Sequence, residues 1–285
     1  MTSVAAGMAL EGKTVFTYSI GNFPTLRCLE QIRNDCAYPK ANVKIVCVGG
    51  GFVYGSLGMS HQATEDIAVM RALPGVAVLC PGDLVEAEEA TKAIAAYPGT
   101  CYLRLGRGGE KRIHDRIDNF EIGNAIKIRD GEKVAVFSTG AIFDEIGSAV
   151  EILEGSGINP AVYTFPTVKP IDREVIERCA ENYDLIVTVE EHNIVGGFGS
   201  AVARSFRSFA ATEGLYASAL MTHILHSSAI KNICARSSVL TPKELPTEYS
   251  QRWANEALVA DLYRPYGITV PCTPCQISIA KRLLG

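Results

Sequence analysis

Two places in the sequence gather side chains able to hold or move a proton. The first is the stretch Gly-Gly-Gly-Phe-Val-Tyr-Gly-Ser-Leu-Gly-Met-Ser-His-Gln-Ala-Thr-Glu-Asp, from Gly49 to Asp66, with His61 near its end. Histidine changes charge near neutral pH. Glycines at 49, 50, 51, 55 and 58 let the backbone take positive φ and let a ligand come close. A long surface loop carrying a hydrogen-bonded histidine is the other reading of the same residues. The second place is Glu190-Glu191-His192, which closes the apolar run Leu185–Val189 and suits either a site or a capping and interface network. Behind it, Gly196-Gly197-Phe198-Gly199-Ser200 opens a helix, and tight helix packing explains its glycines better than an anion site does. No G-x-S-x-G elbow and no phosphate-binding G-x-x-x-x-G-K-[ST] loop occurs.

Strands and helices must position these residues. Val43–Val48 reads as a buried strand leading into the glycine-rich loop, and residues 63–72, with Ile67 and Met70 on one face, read as the helix leaving it. In an open α/β sheet, ligands bind beyond the carboxyl ends of the strands, where this loop would lie. Around it the pattern alternates: a helix over Thr2–Leu10, a strand over Thr14–Tyr18, a helix opened by Pro24, strands at Val76–Leu79 and Thr100–Leu105, and between them a helix over Leu84–Ala96 capped by Asp83. Gly106–Arg112 with His114–Asn119 breaks the periodicity and reads as a linker. Alternation then restarts with strands at Val134–Ser138, Ala161–Phe165 and Leu185–Val189 and helices at Phe143–Leu153 and Asp172–Cys179. This is the mark of two mostly parallel, helix-covered sheets. Further helices are expected near Tyr249–Tyr263 and Gln276–Leu284, and residues 236–271 are less regular.

Composition narrows the function classes. The chain has 285 residues, 47% hydrophobic and 20% charged, with a net charge of −4 and no basic stripe, which argues against a nucleic-acid surface. No uninterrupted apolar 18-residue run suggests a membrane span. Nine cysteines, mostly in apolar segments, fit reduced thiols in a cytoplasmic protein. Cys272-Thr-Pro-Cys275 stands alone, and chance spacing at a helix start explains it better than zinc or redox chemistry.

Several segments then resemble, in order and spacing, the transketolase family of thiamine-diphosphate enzymes. Met1–Gly12 is similar to the segment after that family's G-I-A-E-Q-N motif. Gln31-Ile-Arg-Asn34, Ala37-Tyr-Pro-Lys40, Asn42-Val-Lys-Ile45, Ser60-His-Gln62, Glu65-Asp66, Met70-Arg-Ala72 and Tyr102-Leu-Arg-Leu-Gly-Arg107 continue the resemblance. Val189-Glu-Glu-His-Asn-Ile-Val-Gly-Gly-Phe-Gly-Ser200 resembles the family's C-terminal signature. The resemblance covers roughly residues 1–225 and the last dozen, but not 236–271.

The fold it implies is α/β with two doubly wound domains. A thiamine-diphosphate pyrimidine-binding-type domain, lacking its N-terminal part, spans 1–118, and a transketolase C-terminal-type domain spans 119–285. The nearest form is the small subunit of a split transketolase, which transfers a two-carbon ketol unit from a ketose to an acceptor. The resemblance implies a separate large subunit holding the diphosphate and Mg2+, a dimer of such heterodimers, a sugar substrate, and no activity for the chain alone. Phe23 aligns with the aromatic that packs on the aminopyrimidine ring, and Ile20 stands where a second aromatic is often found. His61 aligns with the histidine beside the reactive carbon, and Arg107 with an arginine that binds the sugar phosphate. Three departures accompany these matches. The family's pyrimidine-contacting glutamate lies upstream of Met1, so a further encoded segment is expected there. Leu57 occupies the place of an aspartate, and Gly49 that of a histidine. A keto-acid dehydrogenase β-subunit and a non-catalytic scaffold or regulatory subunit are the alternatives.

Overall fold

A computed structural model of the chain describes residues 1–213 and 219–224. The expected helices near 249–263 and 276–284, and the Cys272/Cys275 pair, lie outside them. In chain order the first half runs α1 (Thr2–Leu10), β1 (Val15–Ile20), a one-turn α2 (Leu29–Gln31), β2 (Val43–Val48), α3 (Asp66–Ala72), β3 (Ala77–Leu79), α4 (Leu84–Ala96) and β4 (Cys101–Leu105). The second half runs β5 (Ile126–Arg129), β6 (Val134–Ser138), α5 (Phe143–Gly155), β7 (Ala161–Thr164), β8 (Thr167–Lys169), α6 (Arg173–Asn182), β9 (Leu185–Glu190), α7 (Phe198–Glu213) and β10 (Ala219–Ile224).

Two five-stranded sheets result, in the orders β1-β2-β4-β3-β8 and β10-β9-β6-β7-β5. All pairings are parallel except β3 with β8 and β5 with β7. The expected strands and helices are present with small shifts, and the differences have physical causes. The helix expected from residue 63 starts at Asp66, because Ala63 is held extended in a bridge to Gly51. The helix opened by Pro24 is broken into a 3-10 turn, α2 and a π segment, Ile32–Ala37. Hydrogen bonds from Thr25 Oγ1 to Gly21 O and from Cys28 Sγ to Phe23 O tie its start to the preceding turn. The periodicity does not show β5 or β8. Both are short antiparallel edge strands with shifted register.

β8 lies beyond residue 119 in sequence yet completes the first sheet. The two sheets accordingly share one continuous core. It runs from Ile45 and Tyr102 in the first to Phe137 of the second and to Phe165 and Phe198 beside it, with the Phe165 ring touching both Phe137 and Phe198. The opposite edge of the first sheet is β1, whose Phe16 and Tyr18 are exposed, as are Val4 and Met8 of α1. In β2, Lys44 interrupts the apolar run and is fully buried; its ammonium is anchored on the carbonyls of Tyr97 (2.7 Å) and Gly99 (2.6 Å). No helix among the described residues is long and apolar enough to cross a membrane.

Candidate active site

Three connections leave the carboxyl ends of neighbouring parallel strands and meet. The turn after β1 carries Asn22 and Phe23, the loop after β2 carries Tyr54 and His61, and the segment after β4 carries Arg107. Backbone bonds fix their starting points. Phe23 N–H donates to Ile20 O at 2.9 Å, and Gly49 N–H and Gly50 N–H donate to Leu105 O at 2.9 and 3.1 Å. Asn22 Nδ2 donates to Met59 O at 2.9 Å and to Gln62 O, tying the β1 turn to the far limb of the loop.

The expected residues Phe23 and His61 come together. Their rings stand edge to face with centroids 5.3 Å apart, and Tyr54 lies 6.0 Å from His61 in the same manner. Ser60 Oγ is 2.9 Å from His61 Nδ1. Two guanidinium groups flank the rings, Arg27 at 4.5 Å from the Phe23 centroid and Arg107 at 6.0 Å from that of Tyr54. Ile20, at the end of β1, shapes the turn through its carbonyl. Tyr54 was not singled out by the sequence, although an aromatic inside a glycine-rich loop after a buried strand is a signal for it. The tip is half open: His61 and Phe23 are partly buried and Arg107 is exposed.

Beneath the loop lies a buried polar network. Arg104 and Asp66, side chains 4% and 0% exposed, pair at 2.8 Å, and Tyr102 OH donates to the same carboxylate oxygen at 2.6 Å. Burial works against the Arg104 charge, but Asp66 outweighs it and the guanidinium is held even more firmly protonated than usual. Burial, reinforced by Asp66, raises the Tyr102 phenol. From the second sheet, His192 is fully buried. It donates from Nδ1 to Asn193 O at 2.7 Å and accepts the Ala68 N–H on Nε2 at 3.3 Å, an arrangement for a neutral imidazole, and burial lowers its pKa. Glu190 caps α7, accepting Phe198 N–H at 2.6 Å and Gly199 N–H at 2.8 Å. Burial nonetheless pushes its carboxyl up to about 7. The pair Glu190 and His192 thus belongs to an interface network, and Gly196 and Gly197 supply carbonyls to Arg71. Arg104 had a sequence signal, a single charge between two leucines, but its pairing with Asp66 needed the fold.

Known proteins share this arrangement of domains. Family models describe a transketolase pyrimidine binding domain over residues 1–109 and a transketolase C-terminal domain over residues 123–245. The chain belongs to the transketolase family. It is 41% identical over 210 residues to a putative transketolase C-terminal section from Methanocaldococcus jannaschii, covering 73% of this chain and 66% of that one. It is 36% identical to an apulose-4-phosphate transketolase subunit from Phocaeicola vulgatus, covering 71% of this chain and 65% of that protein. The chain therefore spans a little under two thirds of these two relatives. A solved structure described as a split gene transketolase, inactive beta4 tetramer, matches with a TM-score of 0.69 and 33% identity over 81% of this chain and 74% of that one. The chain thus has the two α/β domains of the transketolase family.

Proposed function

We propose that the chain is the small subunit of a two-subunit, thiamine-diphosphate-dependent transketolase that moves a two-carbon ketol unit from a ketose donor to an acceptor. The observation that carries this reading is the Phe23–Tyr54–His61 cluster at the carboxyl ends of β1 and β2, in a chain of this family. Those residues fit the ring end of the cofactor. Phe23 offers a flat apolar face, and the buried Asn22 Oδ1 beside it has no hydrogen-bond partner among the described residues, an acceptor suited to a ring amino group. When bound, the cofactor supplies the electron sink for carbon–carbon bond chemistry.

The protein's own share is binding and proton handling. In this reading His61 would hydrogen-bond the substrate oxygen on the carbon under attack and move its proton. Arg107, beside Tyr54, suits an anionic group on the sugar, since guanidinium binds phosphate bidentately. The candidate cation cluster among the described residues, Asp83, Glu86 and His114, is already engaged. Asp83 accepts from Glu86, Ile113 and His114 N–H groups, and Glu86 accepts from Gly82 N–H and Thr164 Oγ1. The family resemblance supports assigning the diphosphate and its Mg2+ to a large subunit, in a dimer of heterodimers.

Calorimetry tests this reading. The isolated chain is expected to show no thiamine diphosphate binding; binding should appear on adding the large subunit and Mg2+, and ketol transfer in a complex that also carries the family's pyrimidine-contacting glutamate. Tight binding by the isolated chain, or no ketol transfer by that complex with any phosphoketose donor, contradicts it.

A further inference from the structure

We propose that Glu191, carried by the second domain, is a positioning residue for the loop that presents His61, acting together with Arg104. The proposal rests on the reading of His61 given above. The loop closes on itself at its base, where Gly51 N–H donates to Ala63 O at 2.8 Å and Ala63 N–H to Gly51 O at 2.9 Å. Both limbs of that base are gripped from outside the loop. On the outgoing limb, Glu191 Oε1 accepts the Phe52 N–H at 3.1 Å. On the returning limb, Arg104 donates from one terminal nitrogen to Ala63 O at 3.0 Å and to Glu191 O at 2.9 Å, while its Nε holds Asp66. One residue further on, Asn193 donates from its backbone N–H and from Nδ2 to Thr64 O, at 2.9 and 3.0 Å.

The glycine between the limbs is explained by this grip. Gly51 has φ +69°, and a Cβ there would fall 2.5 Å from Glu191 Cδ, so only glycine lets the carboxylate lie against the loop backbone. His61 is two residues from Ala63, leaving little chain in which a shift of the base could be absorbed. The segment after β9 of the second domain therefore fixes the base that carries the imidazole, beside the hold of Asn22 on Met59 O and Gln62 O nearer the tip. A misplacement of about 1 Å by a residue remote from the chemistry can cost on the order of a hundredfold in rate. Glu191 touches no substrate in this scheme and acts through the loop.

The test compares Glu191→Ala and Glu191→Gln in the full chain and in its complex with the large subunit. Amide hydrogen exchange is read on residues 52–62, and kcat and KM are read in the complex. For Glu191→Ala we expect loop exchange to rise by about tenfold or more, with β4 and β9 unchanged. We also expect kcat to fall by tens of fold or more, to about a hundredfold, with KM and thiamine diphosphate affinity nearly constant. Glu191→Gln keeps an acceptor for Phe52 N–H and should return both readouts close to wild type. Should Glu191→Ala fail to fold, Glu191→Asp, one methylene shorter, carries the same expectation. Unchanged loop exchange overturns the proposal whatever the activity, as does raised exchange with unchanged kcat. A wild-type complex without ketol transfer refutes the functional reading instead, and the exchange data then still decide whether Glu191 holds the loop.

Discussion

At the base of the Gly49–Asp66 loop, Arg104 and Asp66 are almost wholly withdrawn from water and joined by charge-assisted hydrogen bonds. Glu191 and Asn193 reach in from the second domain to the loop itself, and His192 accepts the Ala68 N–H of α3 just behind it. At its tip, twelve residues or fewer along the chain, Leu57, Met59 and Ser60 are exposed, and the rings of Phe23, Tyr54 and His61 touch only at their edges. The base spends buried charge on holding a shape, and the tip leaves its groups accessible. Changes at the base should act on stability and on the tip's position together. Changes at the tip should act on ligand and rate with the fold intact.

The largest effect is expected from Arg104→Ala. It leaves Asp66 as a buried charge without its partner and should cost about 3–5 kcal/mol, read as a lowered urea midpoint. A loss below about 1 kcal/mol would show the base to be less committed than its burial implies. Gly50→Ala is next. Its Cβ would lie 2.4 Å from Arg104 Nε, in a position where the backbone is not left-handed, so the effect is steric and should cost about 1–3 kcal/mol.

The base should also respond to pH through two groups of opposite sign. Glu190 has its pKa raised to about 7 by burial, so its contribution to stability is full below its unfolded value and is lost as pH rises through about 7. His192 has its pKa lowered by burial, so its contribution is full above its unfolded value and is lost as pH falls through the lowered folded value. The two slopes oppose each other in the mildly acidic range. Relative to wild type, Glu190→Gln should make stability rise more steeply with pH there, and His192→Asn should make it fall, each by up to about 1.4 kcal/mol per pH unit. Urea midpoints at a series of pH values check both signs. The smallest expected effect is at the tip: Phe23→Ala in the complex should weaken thiamine diphosphate binding by about tenfold, from the lost ring contact, without moving the midpoint.

The same contrast explains what was legible in the sequence. The tip was readable because its signals are local: an apolar strand, Val43–Val48, then glycines, then His61 before a periodic helix. Phe23 and Arg107 came from resemblance, and the fold brings Phe23 against His61 and Arg107 beside Tyr54. The base was not readable as a unit. Its members come from β4, α3 and the end of β9, and 125 residues separate Asp66 from Glu191. A lone Arg104 in an apolar strand announces a buried partner without naming it. β8 was hidden for a different reason: three residues are too few for alternation to show, and its place beside β3 depends on a core shared by both sheets.

The most direct measurement of the central claim is steady-state turnover of His61→Ala in the complete complex with the large subunit, the family's pyrimidine-contacting glutamate, Mg2+ and thiamine diphosphate. General acid–base assistance predicts a fall in kcat of about 10²–10⁴-fold, with cofactor affinity and urea midpoint close to wild type. Unchanged catalytic constants with the true donor and acceptor would make His61 a structural residue of the loop and contradict the assignment of the site.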